Sequence, residues 1–402
     1  MTEPYSPEIE CASAEAWRDY QDELVRTIVT RAYERTRELS ERLERVGVSL
    51  SELKSVSDLA CVPVLSKDDL PDLQASSPPF GGLLAGDVSD LKRIFVSPGP
   101  ILDPEGEGPD FWGWAPALWA CGFRSADRVY NTFSYHLTPA GAMMEEGLRV
   151  IGCTVVPGGV GNTDAQVELL SLTSSTGYCG TPQFLWTLLE RARAKGVDVS
   201  LKRAFVSGAP LSTTLREELA REFGVSVFQG YGTADVGAIA YECEHACGWH
   251  VAPGRVVEVL EPGTGEIVVS VDNDVYPLVR FGTGDVSSFE AAPCACGRTT
   301  PRLMGFQGRV GEGVKVRGMF VHPRQIARAL GALYNEVPRF QAVVTFEGQN
   351  DALVVRVETE GDPSEIAGRL KEELKLRVDV ELVTPGTLAS DAPRIVDERT
   401  WA

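Results

Sequence analysis

Two short stretches gather six of the chain's thirteen cysteines and histidines, the side chains able to grip a metal. "CEHACGWH" (243–250) supplies Cys243, His245, Cys247 and His250, and "PCACGR" (293–298) supplies Cys294 and Cys296. Tetrahedral zinc takes four soft or borderline ligands, commonly as two close pairs that a fold brings together. A centre with four protein ligands leaves no open position and would be structural. The alternative is a loop of free cysteines. The other cysteines (Cys11, Cys61, Cys121, Cys153 and Cys179) read as small apolar residues, although Cys179, in "GYCGTP" before a helical pattern, has the setting of a nucleophile.

A second group of residues could hold a small polar ligand. "FQGYGTADVG" (228–237) is a glycine-rich turn after an apolar run, presenting Tyr231, Thr233 and Asp235; glycine and aspartate also favour turns of no function. "YPLVRFGTGD" (276–285) follows, with Arg280, Thr283 and Asp285. A carboxylate fixed on a rigid turn, such as Asp285, can accept two ribose hydroxyls. "IFVSPGPILDPEG" (94–106) places a glycine-bearing loop after an apolar strand, as phosphate-binding loops do, but with Asp103 and Glu105 and no lysine. "DFWGWAPALWACGF" (110–123) sets Trp112, Trp114 and Trp119 at helical spacing, a pattern of core packing more than of a pocket.

The elements that must position these residues alternate. Residues 14–57 have the apolar steps of helices, and 59–83 is a proline- and serine-rich connection with a helix start at Ser66. From 92 to about 240, short apolar strands ("DRVYNTF", "VIGCTVVPGG", "RAFVSGAP") alternate with helical stretches ("DAQVELLSL", "PQFLWTLLERARAKG", "TTLREELAREFG"). That order predicts an α/β domain with a largely parallel, helix-covered sheet. We expect it to span 1–306, including a metal-type region at 241–300, then a glycine-dense hinge at 307–313. A small α+β domain of split βαβ type would fill 314–402. The formal charge of −19 disfavours nucleic acid and anionic membrane as partners. The polar, acidic start and the lack of a spanning apolar run point to a cytoplasmic chain.

Taken in order and spacing, "FQGYGTADVG", "YPLVRFGTGD" and "GRVGEGVKVRG" (308–318) resemble the adenylate-forming ligase superfamily, and within it the phenylacetate–CoA ligase-like branch. "VPVLSKDDL" (62–70), "VKVRGMFVHPRQI" (314–326) and "RIVDER" (394–399) are similar to further motifs of that branch. Such enzymes activate a carboxylate with ATP and pass the acyl group to coenzyme A. The resemblance implies that Tyr231 stacks on adenine beside Gly232, that Thr233 approaches the α-phosphate and that Asp285 takes the ribose. Asp235 stands where the family has a magnesium-holding glutamate, and Arg309 would sit at the hinge. Ser207, Gly208 and Ala209 of "VSGAP" would wall the adenine pocket. "FSYHLTPAG" (133–141) would line the acyl pocket, where Tyr135 and His136 are the side chains most able to do chemistry. For the metal, the resemblance favours Cys243, His250, Cys294 and Cys296, with Cys247 as rival for the third place.

The phosphate apparatus departs from the family pattern. Of a Ser-Ser-Gly-Thr-Thr-Gly-Lys-Pro loop, only Ser97, Gly99 and Pro104 survive; Pro98 and Pro100 lack N–H donors, and Asp103 stands where the lysine should be. Near the C-terminus, Asp391 occupies the place of a second lysine, and none occurs after Lys375. At an effective dielectric near 20, one unit-charge interaction at about 4 Å is worth roughly 4 kcal/mol, so two reversals would cost several powers of ten in rate. Three functions stay open. One is an enzyme that kept the acyl pocket and works on an aromatic or acyl thioester, or a carrier-bound acid, by transfer, cyclisation, condensation or hydrolysis. The second is a conventional ATP- and magnesium-dependent carboxylate–CoA or carrier-protein ligase, and the third a non-catalytic binding protein. Coenzyme A or a carrier's phosphopantetheine would be the thiol, and a homodimer is the expected assembly.

Overall fold

The computed structural model describes residues 3–290, 292–311, 313–317, 319–347, 350–389 and 392–399. The chain divides after Gly308 into two compact units.

In the first unit, a nine-stranded sheet runs Thr154–Pro157, Arg128–Asn131, Gly177–Gly180, Arg203–Val206, Ser226–Thr233, Gly237–Glu242, Trp249–Val251, Arg302–Leu303, Phe289–Glu290. The strands from Thr154 to Thr233 are parallel, and the remainder joins antiparallel. Helices connect the parallel strands because both sheet faces are apolar and must be covered. Ser212 caps the helix Thr213–Phe223 by accepting from the Leu215 amide at 3.2 Å, and Gly224 ends it at φ 66°. The strand expected at "VIGCTVVPGG" is shorter: Val150 closes the helix Ala140–Val150, and only Thr154–Pro157 is extended.

A second sheet orders Leu65–Ser66, Phe281–Ser287, Gly265–Val271 and Arg255–Val259. Against it lies the helix Ala14–Arg35, which buries Trp17, Leu24, Val25, Ile28, Val29 and Ala32 on one face. The expected helical stretch 14–57 is interrupted: Thr36 is extended between Ala14–Arg35 and Arg37–Val46, and only short 3₁₀ turns follow. Trp112 and Trp114 are core residues, and Trp119 packs on their cluster.

"IFVSPGPILDPEG" is not a strand and loop but a two-stranded antiparallel hairpin, Arg93–Ser97 against Ile101–Glu105. Its turn is only Pro98–Pro100, and Ile101–Glu105, buried except for a half-buried Leu102, pairs back along Arg93–Ser97. Salt bridges anchor the far end: Arg93 grips Glu105 through both its Nε and Nη2 atoms, the latter at 2.6 Å, and Lys92 Nζ lies 3.0 Å from Glu105.

The second unit is α+β. A hairpin Val314–Val316/Met319–Val321 and the helix Pro323–Gly331 precede a sheet ordered Asp379–Val383, Asn350–Glu358, Phe340–Glu347, Ile395–Asp397. Strand Asn350–Glu358, helix Pro363–Leu374 and the parallel strand Asp379–Val383 form a βαβ turn. Ile326 and Leu330 of one helix and Ile366, Leu370 and Leu374 of the other share its core. Leu333 lies past the helix end and is only partly buried.

Candidate active site and a cysteine–histidine cluster

In α/β sheets ligands collect beyond the carboxyl ends of parallel strands, and the sequence-selected residues gather there. Ser207, Gly208 and Ala209 follow strand Arg203–Val206, with Gly208 at φ 79°, a conformation costly for any residue with a Cβ. Tyr231, Gly232 and Thr233 end the adjacent strand, where the register slips between Tyr231 and Gly232. A Cβ on Gly232 would collide with the Gly237 carbonyl and the Trp114 ring, so the glycine permits this close passage.

Tyr231 is held flat. Its ring stacks on Trp249 with centroids 5.3 Å apart and planes 12° from parallel. Its hydroxyl donates to Asp285 Oδ2 at 2.9 Å and lies 3.2 Å from Thr283 Oγ1. Asp285 and Thr283 come from strand Phe281–Ser287 of the other sheet, so one hydrogen bond ties the sheets at this point. A fixed aromatic face with a carboxylate at its edge has the donor–acceptor chemistry of an adenosine site. Arg280 does not face ligand: it is buried, ion-paired to Glu258 at 3.0 Å and donates to the Val62 carbonyl. Arg309 opens the second unit, in the short strand Gly308–Arg309.

Beside this group lies a buried cluster whose cation was not assigned a role from sequence. Lys67, in the turn after Leu65–Ser66, pairs with Asp235; their side chains are 17% and 0% exposed. The Lys67 ammonium also sits 5.9 Å from the Phe281 ring centroid. Asp103, from the hairpin, is 1% exposed, with Ser97 as the hydrogen-bonding neighbour of its carboxylate. Ser97 Oγ, Asp235 Oδ1 and the Tyr276 hydroxyl are buried in the same cluster. Burial, and then the charge of Asp235, push the Asp103 carboxyl well above its ordinary range, against the pull of Lys67. The hairpin amides are largely spent: Val96 donates to the Leu137 carbonyl at 2.9 Å and Leu102 to Gln74 Oε1 at 2.8 Å. A phosphate cradle needs such donors free.

Tyr135 and His136 occupy the loop beside the hairpin. Tyr135 Oη accepts from Asn131 Nδ2 at 2.8 Å, while His136 is exposed, its backbone bound to Ser134. Cys179 is fully buried, and desolvation raises its thiol far above the range of a nucleophile. Asp391 lies outside the described residues. Arg394, near it in sequence, rests its guanidinium 5.6 Å from the Phe340 ring centroid.

On the antiparallel side of the large sheet, the ligand atoms of Cys243, His250, Cys294 and Cys296 all lie within 4.8 Å of one another. Cys243 Sγ is 3.6 Å from Cys294 Sγ, and Cys296 Sγ is 3.5 Å from His250 Nε2. Tetrahedral zinc with thiolates at about 2.3 Å would set sulfurs roughly 3.8 Å apart, so the group fits the ion with little movement. His250 Nδ1 lies 3.2 Å from Thr300 Oγ1, which orients Nε2 toward the cysteines. Cys247 lies beside the group, exposed, 3.5 Å from Cys294 Sγ, with its own sulfur accepting from Arg302 at 2.9 Å. His245 is outside it, 3.8 Å from Glu244. The loop is tied to the N-terminus by a buried pair, Arg298 Nε to Glu10 Oε2 at 2.5 Å, to which Tyr241 also donates at 2.8 Å.

The fold and these sites define an enzyme of the adenylate-forming, acyl-activating superfamily. Residues 318–399 match the model of the AMP-binding enzyme C-terminal domain. The chain is 30% identical over 378 residues to the phenylacetate–coenzyme A ligase of Thermus thermophilus, covering 88% of this chain and 84% of that one. It is 24% identical to the Escherichia coli phenylacetate–coenzyme A ligase over 94% of each chain. Among solved structures, 2-hydroxyisobutyryl-CoA ligase in complex with 2-HIB-AMP and CoA superimposes with a TM-score of 0.90. That match is at 25% identity over 98% of this chain and 92% of that one. The chain belongs to the phenylacetate–coenzyme A ligase family.

Proposed function

We propose that this family member works on a small aromatic or other compact acyl group carried as a thioester, on coenzyme A or a carrier phosphopantetheine, without forming an acyl-adenylate from ATP. Transfer, cyclisation, condensation and hydrolysis are the reaction classes open to it. The observation that carries this reading is the hairpin: where the family has a phosphate loop, paired strands spend their amides internally and bury the carboxylate of Asp103. The Tyr231–Asp285 group then serves the nucleotide end of coenzyme A as well as it would serve ATP. Asn131 holds Tyr135 at the acyl side, and His136 is the neighbouring base. Cys243, His250, Cys294 and Cys296 hold a structural zinc that fixes their loop against the sheet. A cytoplasmic homodimer in a biosynthetic role completes the proposal.

Incubation with ATP, magnesium, coenzyme A and a panel of aromatic and short acids is expected to release no pyrophosphate above background. An aryl- or acyl-CoA panel is expected to yield free thiol. Pyrophosphate formed in step with acyl-CoA would overturn the proposal and favour the conventional ligase, a reading supported by the intact Tyr231–Asp285 contact and by the cation that Lys67 brings near the hairpin.

A further inference from the structure

The family's magnesium position does not fit a metal here. Asp235, which stands there, has one oxygen engaged by the Lys67 ammonium. Lys67 is placed for this by structure, not chance: Ser66 caps the turn Lys67–Asp69, and the preceding strand Leu65–Ser66 is locked in parallel register with Phe281 and Gly282. We infer that Lys67 is a built-in cation that permanently occupies the divalent-metal position of this site, so that the wild-type enzyme binds its ligands there without magnesium. The inference deepens the function proposed above and rests on it for the ligand class.

The argument is one of donors and charge. Asp103 Oδ1 and Oδ2, Asp235 Oδ1, Ser97 Oγ and the Tyr276 hydroxyl are buried together as an all-oxygen cluster. Such a cluster is what hard divalent cations select. Two carboxylates and one ammonium already meet at this place. A divalent ion added beside the ammonium would be repelled at close range. Removing the ammonium leaves two carboxylates and the same oxygens, and the place becomes a metal site.

The test is Mn²⁺ titration of the full-length protein followed by electron paramagnetic resonance. Wild type is expected to show no Mn²⁺ that Asp235→Asn removes. Lys67→Met is expected to take up one Mn²⁺ per chain, at least about tenfold more tightly than wild type, and Lys67→Met/Asp103→Asn to lose it. Magnesium is expected to raise the thermal midpoint of Lys67→Met and leave that of wild type unchanged. A wild-type Mn²⁺ site abolished by Asp235→Asn would overturn the inference, as would a folded Lys67→Met that binds none. Should Lys67→Met fail to fold, Lys67→Gln and the wild-type titration carry the same decision. The two readings part cleanly. Pyrophosphate release that ignores magnesium would sink the thioester proposal and leave Lys67 as the cation. Wild-type Mn²⁺ binding without pyrophosphate release would do the reverse.

Discussion

Asp103→Asn should make the protein more stable at neutral pH, by an amount that depends on pH in a defined direction. The side chain is 1% exposed, with Ser97, Asp235 and the Tyr276 phenol near it and the Lys67 ammonium acting on it from the same cluster. A carboxyl whose folded-state pKa lies above its unfolded value of 3.8 binds a proton in the native state that the unfolded chain has lost. Stability then falls as pH rises from the unfolded value to the folded one, by about 1.4 kcal/mol per unit, and is level above it. Asparagine keeps the shape and cannot ionise, so the variant escapes this loss. The stability gap between variant and wild type should open from near pH 4 upward and stop growing once the folded pKa is passed. Each pH unit within that window corresponds to roughly 2–4 °C in the thermal midpoint for a unit of this size. Thermal unfolding across a pH series, both proteins in the same buffers, measures it. A gap that is flat with pH, or one in which wild type gains on the variant as pH rises, would show that Asp103 is an ionised, stabilising partner of Lys67 and would refute the reasoning.

Three further outcomes follow from the same geometry. Elemental analysis should find about one zinc per chain in the wild type, and Cys243→Ser or Cys296→Ser should lose it together with several degrees of thermal midpoint. Cys247→Ser should keep it, since Cys247 stands outside the group of four. Arg298→Met breaks a buried ion pair with Glu10, whose two side chains are 1% and 0% exposed, and should cost about 3–5 kcal/mol in chemical denaturation. Tyr231→Ala removes the stacked face and the hydroxyl bound to Asp285, and should weaken AMP or coenzyme A binding about tenfold or more by calorimetry. Unchanged affinity would move the nucleotide site elsewhere.

Much of this protein was set by local sequence. Helix periods and caps, such as Ser212 and Gly224 around Thr213–Phe223, depend on neighbours within a few residues and can be read directly. The alternation of strands and helices declared the parallel sheet, while the Cys/His stretches offered six candidate ligands, among which the family resemblance favoured the four that cluster. What sequence could not reveal was long-range partnership. Residues 101–105 look like loop because a proline and two acids end them; they are a strand because Arg93–Ser97 lies opposite and supplies the hydrogen bonds. Lys67 was visible in its motif but silent, since its charge acquires meaning only when Asp235, 168 positions away, is packed against it. Trp249 carries no signal in the sequence that it is the platform under Tyr231. Local propensity acts along the chain and is written in it. The electrostatics of a buried group depends on which distant side chains share its low-dielectric surroundings, and only the tertiary fold decides that.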